Sequence, residues 1–98
     1  MSDMMENSDK PLISFALFTY NQEAYIADAI RGALAQTYSP LEIVISDDCS
    51  TDRTFDVIQE MVSAYQGPHD VRVNRNARNL GIGQHTTKMM IELVRGEL

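Results

Sequence analysis

The sequence predicts an α/β fold: a Rossmann-like parallel sheet with helices on both faces. Three observations carry that prediction. Two short apolar runs, residues 12–18 and 41–46, are too brief for helices and read as buried parallel strands. Each is followed by apolar residues recurring at one-face helical spacing. The alternation then repeats a third time from Val71, giving the order β-α-β-α-β-α. Ninety-eight residues, 44% of them hydrophobic, are enough for one modest core.

Residues 1–10 are rich in Ser, Asp, Asn and Glu and read as a flexible lead-in to a domain spanning residues 11–98. The run Leu12-Ile13-Ser14-Phe15-Ala16-Leu17-Phe18 is cut off by Thr19-Tyr20-Asn21, which favours a strand. Ile26, Ala29, Ile30, Ala33 and Leu34 mark the first helix. Asn21 is placed to cap it, Glu23 and Asp28 lie toward its positive end, and Thr37-Tyr38-Ser39-Pro40 stops it. Leu41 to Ser46 form the second strand. Phe55, Ile58, Met61, Val62 and Tyr65 mark a second helix, with Ser50 or Thr51 as cap and Gly67-Pro68 as stop. Val71-Arg72-Val73 is a short third strand, followed by a polar loop with a turn at Asn79-Leu80-Gly81. Ile82, Thr86, Met89, Met90, Leu93 and Val94 supply the inner face of a third helix, with Gly96 as its cap and Glu97-Leu98 opening another strand.

A formal charge of -6 argues against non-specific binding to nucleic acid or to anionic membranes. Against that background Arg72, Arg75 and Arg78 form a local basic cluster suited to a small anionic ligand, though solvated loop arginines account for them equally well. The single cysteine, Cys49, excludes an internal disulfide framework and fits a reducing compartment. No apolar run approaches the ~20 residues of a membrane span, and residues 1–10 lack the apolar centre of a secretory signal. A cytoplasmic location is therefore expected.

Chemistry concentrates where strands end. Ile43-Val44-Ile45-Ser46 runs into Asp47-Asp48-Cys49-Ser50-Thr51-Asp52. Acids at the carboxyl end of a parallel strand can accept hydrogen bonds from a base or ribose, or approach a metal. One of them can equally cap the next helix; Asp47 suits that structural role, and Asp48 the ligand role. Phe18 and Tyr20 end the neighbouring strand, where Tyr20 can stack on a planar base. Arg75 and Arg78, following the third strand, can pair with phosphate oxygens. Gly81 and Gly83 open a helix that could offer amides to phosphate, although a simple turn explains them as well. His85 and Lys88 share a helix face that reads as a polar contact or as solvated surface. Cys49 and the two histidines have no zinc-like spacing. The methionines read as core filler.

At these residues the chain resembles the inverting family-two glycosyltransferases of GT-A fold, over nearly its whole length from about Pro11. Phe18-Thr19-Tyr20-Asn21-Gln22-Glu23 is similar to the family's Thr-Tyr-Asn-x-Glu segment, and Ala35-Gln36-Thr37-Tyr38 to its Gln-Thr-Tyr helix end. Asp47-Asp48-Cys49-Ser50-Thr51-Asp52 resembles its Asp-Asp-x-Ser-x-Asp signature, Asn79-Leu80-Gly81 its Asn-x-Gly turn, and Gly96-Glu97 its Gly-Glu. The five segments occur in the family's order. Thr87 departs from the pattern, where Asn or Arg-Asn is common.

The resemblance implies a nucleotide-sugar donor, commonly a UDP-sugar, and a glycan or lipid-linked acceptor. It implies nucleotide-binding roles for Phe18, Tyr20, Asn21, Asp47, Asp48, Arg75 and Arg78, with Asp48 accepting from a ring N–H of the base. A divalent cation, Mg or Mn, is expected in the complete enzyme, held by acids of a later strand beyond Leu98. The base that deprotonates the acceptor is expected further on still. Displacing a nucleoside diphosphate needs both, so transfer is expected of a longer parent and not of these residues alone. A partial sheet also predicts an open edge that can pair two copies. Two other readings stay open: a non-catalytic nucleotide-binding or regulatory α/β module, and a phosphoacceptor receiver domain, which clusters acids at strand ends but usually after its first strand.

Overall fold

The computed structural model describes residues 10–96. The expected flexible lead-in, apart from Lys10, and the strand expected from Glu97-Leu98 lie outside the described residues. The elements are β1 (Ile13–Thr19), α1 (Ile26–Leu34), β2 (Leu41–Asp47), α2 (Thr54–Ala64), β3 (Asp70–Arg75) and α3 (Gly81–Lys88), which runs into a π-helical turn, Met89–Leu93. The strands form one parallel sheet in the order β1-β2-β3. The architecture is the predicted open α/β sheet.

Register and alternation decide what each sheet face carries. Leu41, Ile43 and Ile45 of β2 pack with Ile26, Ile30 and Ala33 of α1 and Ile58 of α2 in one core. Burying each such isoleucine contributes about 1.5–3 kcal/mol. The intervening residues Glu42, Val44 and Ser46 are buried against the other face. There Glu42 meets Arg72 and Arg95, and Ser46 meets His85. Thus α1 and α2 cover one face, while α3 and the π turn cover the opposite one. The carboxyl ends of the three parallel strands lie along one edge of the sheet, the edge at which open α/β sheets form ligand crevices.

Several local expectations need correction. β3 is longer than Val71-Arg72-Val73 and reaches Arg75, because β2 supplies register partners as far as Asp47. The expected inner face of the third helix holds at Met89 and partly at Leu93 and Val94, and fails at Ile82, Thr86 and Met90. His85 and Met89 are buried, whereas Ile82 is 87% exposed and Met90 56% exposed. The cause lies in the sheet: Ser46 needs a polar partner once buried, and His85 provides it at 2.6 Å. The π turn then breaks the 3.6-residue period on which the expectation rested. Gly96 is not a helix cap. Val94 fills that position in an extended conformation, and the Gly96 amide donates to Ser14 Oγ at 2.9 Å. A side chain on Gly96 would press within 2.6 Å of the Leu12 carbonyl oxygen. Arg72 is neither a solvated loop arginine nor free for an anionic ligand: its guanidinium lies 2.8 Å from the fully buried Glu42 carboxylate.

Candidate nucleotide-binding cleft

A cleft of about 490 Å³ opens at the carboxyl end of β1. Phe18, Thr19, Tyr20 and Gln22 form one side, and Asn79, Gly81, Ile82 and His85 the other. Phe18 and Tyr20 are each about two-fifths exposed, so their rings offer apolar surface to a ligand. Thr19 is 4% exposed, and its Oγ1 is sealed from solvent without a hydrogen-bond partner among the described residues. A buried hydroxyl left unpaired is unfavourable, a local cost of the fold at this strand end.

The two acids behind the cleft have separate tasks. Asp47 is fully buried and folds its own loop, accepting from the Ser50 amide at 2.9 Å and the Ser50 hydroxyl at 2.5 Å. That is the structural role the sequence suggested, although the residue gripped is in the loop and not at a helix end. Asp48 reaches further. Its carboxylate accepts from the Asn76 side chain at 2.8 Å, the Leu80 amide at 2.8 Å and the Gly81 amide at 2.9 Å. It therefore caps α3, a helix that starts 33 residues later, as well as standing at the strand end. Burial alone would raise its pKa, but these donors and the nearby His85 outweigh burial and hold it below the ordinary range. Oδ2 receives only the Gly81 amide among the described residues, and the buried carboxylate sits behind the residues that line the cleft.

Loop geometry fixes Tyr20. The Asn21 backbone sits at φ 51°, and its amide donates to Ser50 Oγ at 2.8 Å. Its side-chain oxygen accepts from the Thr51 amide at 2.8 Å. Asn21 is thus a brace between two loops and not the cap of α1, whose N-terminal residue, Tyr25, makes no side-chain capping bond. Nor do Ser50 or Thr51 cap α2. Asp52 Oδ1 takes the Thr54 amide at 2.9 Å, and Glu23 takes the Arg53 amide at 3.1 Å.

The arginines do not cluster. Arg72 and Arg75, three residues apart on a strand, emerge on opposite faces. Arg75 lies over the Phe55 ring at 4.7 Å and donates to the Ser50 carbonyl at 3.2 Å, which withdraws it from the phosphate role expected of it. Arg78 stands exposed on the loop, one residue before Asn79 of the cleft. His85, by contrast, was left among polar surface possibilities and proves to be a cleft residue at 3% exposure. The alternation of Ser46 toward the face that α3 covers was the available signal.

Asp47 and Asp48 do not fit a divalent cation, because their oxygens already serve donors of their own chain. Among the described residues no three His, Cys, Asp or Glu side chains come together as metal ligands. Neither acid fits the receiver reading either, since a phosphoacceptor must face solvent and both are buried. Among the described residues no helix is long and apolar enough to cross a membrane.

A glycosyltransferase of Bacillus subtilis named for teichuronic acid biosynthesis, TuaG, is 37% identical over 68 residues, covering 69% of this chain and 27% of that protein. An uncharacterized glycosyltransferase of Haemophilus influenzae is 36% identical over 77 residues, covering 79% of this chain and 22% of its own. An uncharacterized glycosyltransferase of Nostoc sp. is 49% identical over 49 residues, covering 50% and 15%. The chain therefore spans about a quarter of the length of the first two relatives. The profile of glycosyl transferase family 2 matches residues 14–91, and the chain belongs to that family.

Proposed function

We propose that the cleft binds the nucleotide end of a nucleotide-sugar donor, commonly a UDP-sugar, for transfer of the sugar to a glycan or lipid-linked acceptor. The observation that carries this reading is the cleft itself, at the carboxyl end of β1 in a family-2 chain, walled by two half-exposed rings. Phe18 and Tyr20 hold the base. Asp48 accepts a ring N–H at Oδ2, which requires the Gly81 turn to yield slightly. Asn21 and Asp47 act by holding the loop, and Arg78 is the arginine placed for the diphosphate.

Transfer is assigned to a longer protein, of the size its relatives show, with a divalent cation bound by residues outside these. The name of the Bacillus relative supports a surface polysaccharide as product. The lone cysteine supports a reducing, cytoplasmic setting. β1 and β3 each lack a neighbouring strand on one side among the described residues, which supports pairing of two copies along an edge.

Titration of the chain with UDP, GDP and ADP, followed by backbone amide shifts, tests the site. Residues 18–20, 79–82 and His85 are expected to move with at least one nucleotide. Stationary amides there, at millimolar ligand, would refute the assignment.

A further inference from the structure

His85 is the cleft residue whose chemistry the reading above leaves unused. Its ring is held on two sides. The Phe18 ring meets it edge-on, with centroids 5.1 Å apart and planes at 80°. Nε2 lies 2.6 Å from Ser46 Oγ, at the end of a chain of polar groups anchored by two charges.

That chain has one direction as far as Ser46. Lys88 Nζ lies 2.9 Å from Asn76 Oδ1, and an ammonium can only donate. Asn76 Nδ2 therefore faces Asp48 Oδ1, at 2.8 Å, and a carboxylate with depressed pKa can only accept. With Asn76 Oδ1 fixed as an acceptor, Asn74 Nδ2 donates to it at 3.1 Å and to Ser46 Oγ at 2.9 Å. Ser46 Oγ accepts from Asn74, and its own hydrogen is free to go to His85 Nε2. In that arrangement the imidazole is neutral and carries its proton on Nδ1. Burial, aided by the Lys88 charge, favours that neutral state and lowers the pKa, although Asp48 and Asp47 pull the other way.

Nδ1 has no hydrogen-bond partner among the described residues. Thr19 Oγ1 is the one side-chain polar atom there that is both sealed from solvent and unpaired. The unpaired Nδ1 is therefore not sealed, and the open space that His85 lines is the cleft.

The geometry points to His85 as a second determinant of base specificity, beside the ring N–H contact of Asp48. Its Nδ1–H is a fixed donor that favours a base presenting a carbonyl oxygen, as uracil does at position 4, over one presenting an amino group there, as cytosine does. Donor against donor leaves two buried groups unpaired, and a site built around one hydrogen bond rejects the partner that lacks it. This inference rests on the nucleotide reading of the cleft.

The test compares Kd for UDP and CDP by amide-shift titration of the 98-residue chain and two variants. One unsatisfied donor contributes about tenfold to the preference for UDP in the native chain. His85→Asn sets an amide N–H near the position of Nδ1, and His85→Gln sets one near Nε2. The asparagine variant is expected to keep the native UDP/CDP ratio, and the glutamine variant to lower it about tenfold, with the share owed to the Asp48 contact remaining in both. Long-range proton–nitrogen spectra of the native chain are expected to show the Nδ1–H tautomer.

Equal UDP and CDP affinity in the native chain overturns the specificity role, as does an unchanged ratio in both variants, while cleft shifts with either nucleotide leave the nucleotide reading standing. No shifts with any nucleotide overturn both. Should a variant fail to fold, the spectra decide: an Nε2–H tautomer overturns the inference by itself.

Discussion

Glu42 shows how one side chain can govern a sheet face. It is fully buried in β2 and accepts four hydrogen bonds. The Ser14 hydroxyl at 2.5 Å and the Arg95 amide at 2.8 Å meet Oε2, while Arg72 Nη1 and Arg95 Nε, each at 2.8 Å, meet Oε1. Burial alone would raise its pKa, but these donors outweigh it and draw the group from 4.5 down to about 2. The sign follows from linkage. The folded carboxyl binds its proton less readily than the unfolded one, so its contribution is complete above pH 4.5 and is lost as pH falls toward 2. That contribution is about 3 kcal/mol. Glu42→Gln is expected to destabilise the fold at pH 7 by about 3 kcal/mol, since two arginines lose their anion. It should also flatten the acid limb. Urea midpoints at pH 7, 4.5 and 3 check both, and a variant whose stability falls as steeply as the native chain's below pH 4.5 would exclude this origin.

At the scale of elements, loops are held by long-range side-chain bonds more than by local caps. Asn21 bridges the loop after β1 to the loop after β2, and Asp48 bridges β2 to the start of α3. Such bonds fix the relative heights of Tyr20 and Gly81, the two sides of the cleft. Asn21 also occupies the left-handed region, which alanine tolerates poorly. Asn21→Ala is expected to cost about 2–3 kcal/mol, from the stranded Thr51 amide plus backbone strain. Asn21→Gly removes only the bond and should cost about 1 kcal/mol less. Chemical unfolding of both variants separates the terms, and equal losses would mean that strain at this position is negligible.

For the whole molecule, the polar second face sets the course of the chain. Glu42 and Ser14 receive Arg95 and Gly96, which brings the segment after the π turn back beside β1. One side of β3 still lacks a strand among the described residues. Self-association through an open edge is expected to appear as a rise in light-scattering mass with concentration. A constant monomer mass into the millimolar range would count against edge pairing.

The residue pattern by itself determined the element order, the parallel sheet and the strand ends that carry the chemistry. Those rest on periodicity and short-range turn signals, which local physics writes into neighbouring residues. It also exposed Asp47 and Asp48, because two acids ending an apolar strand are locally conspicuous. Tertiary structure alone decided what Asp48 holds, where Arg75 turns and which face α3 buries. Each depends on a partner dozens of residues away, and a buried polar atom such as Glu42 or Ser46 selects that partner by the donor it needs. The cleft role of His85 arose in the same way: its helix was legible, but its rotation was set by a serine on a different strand.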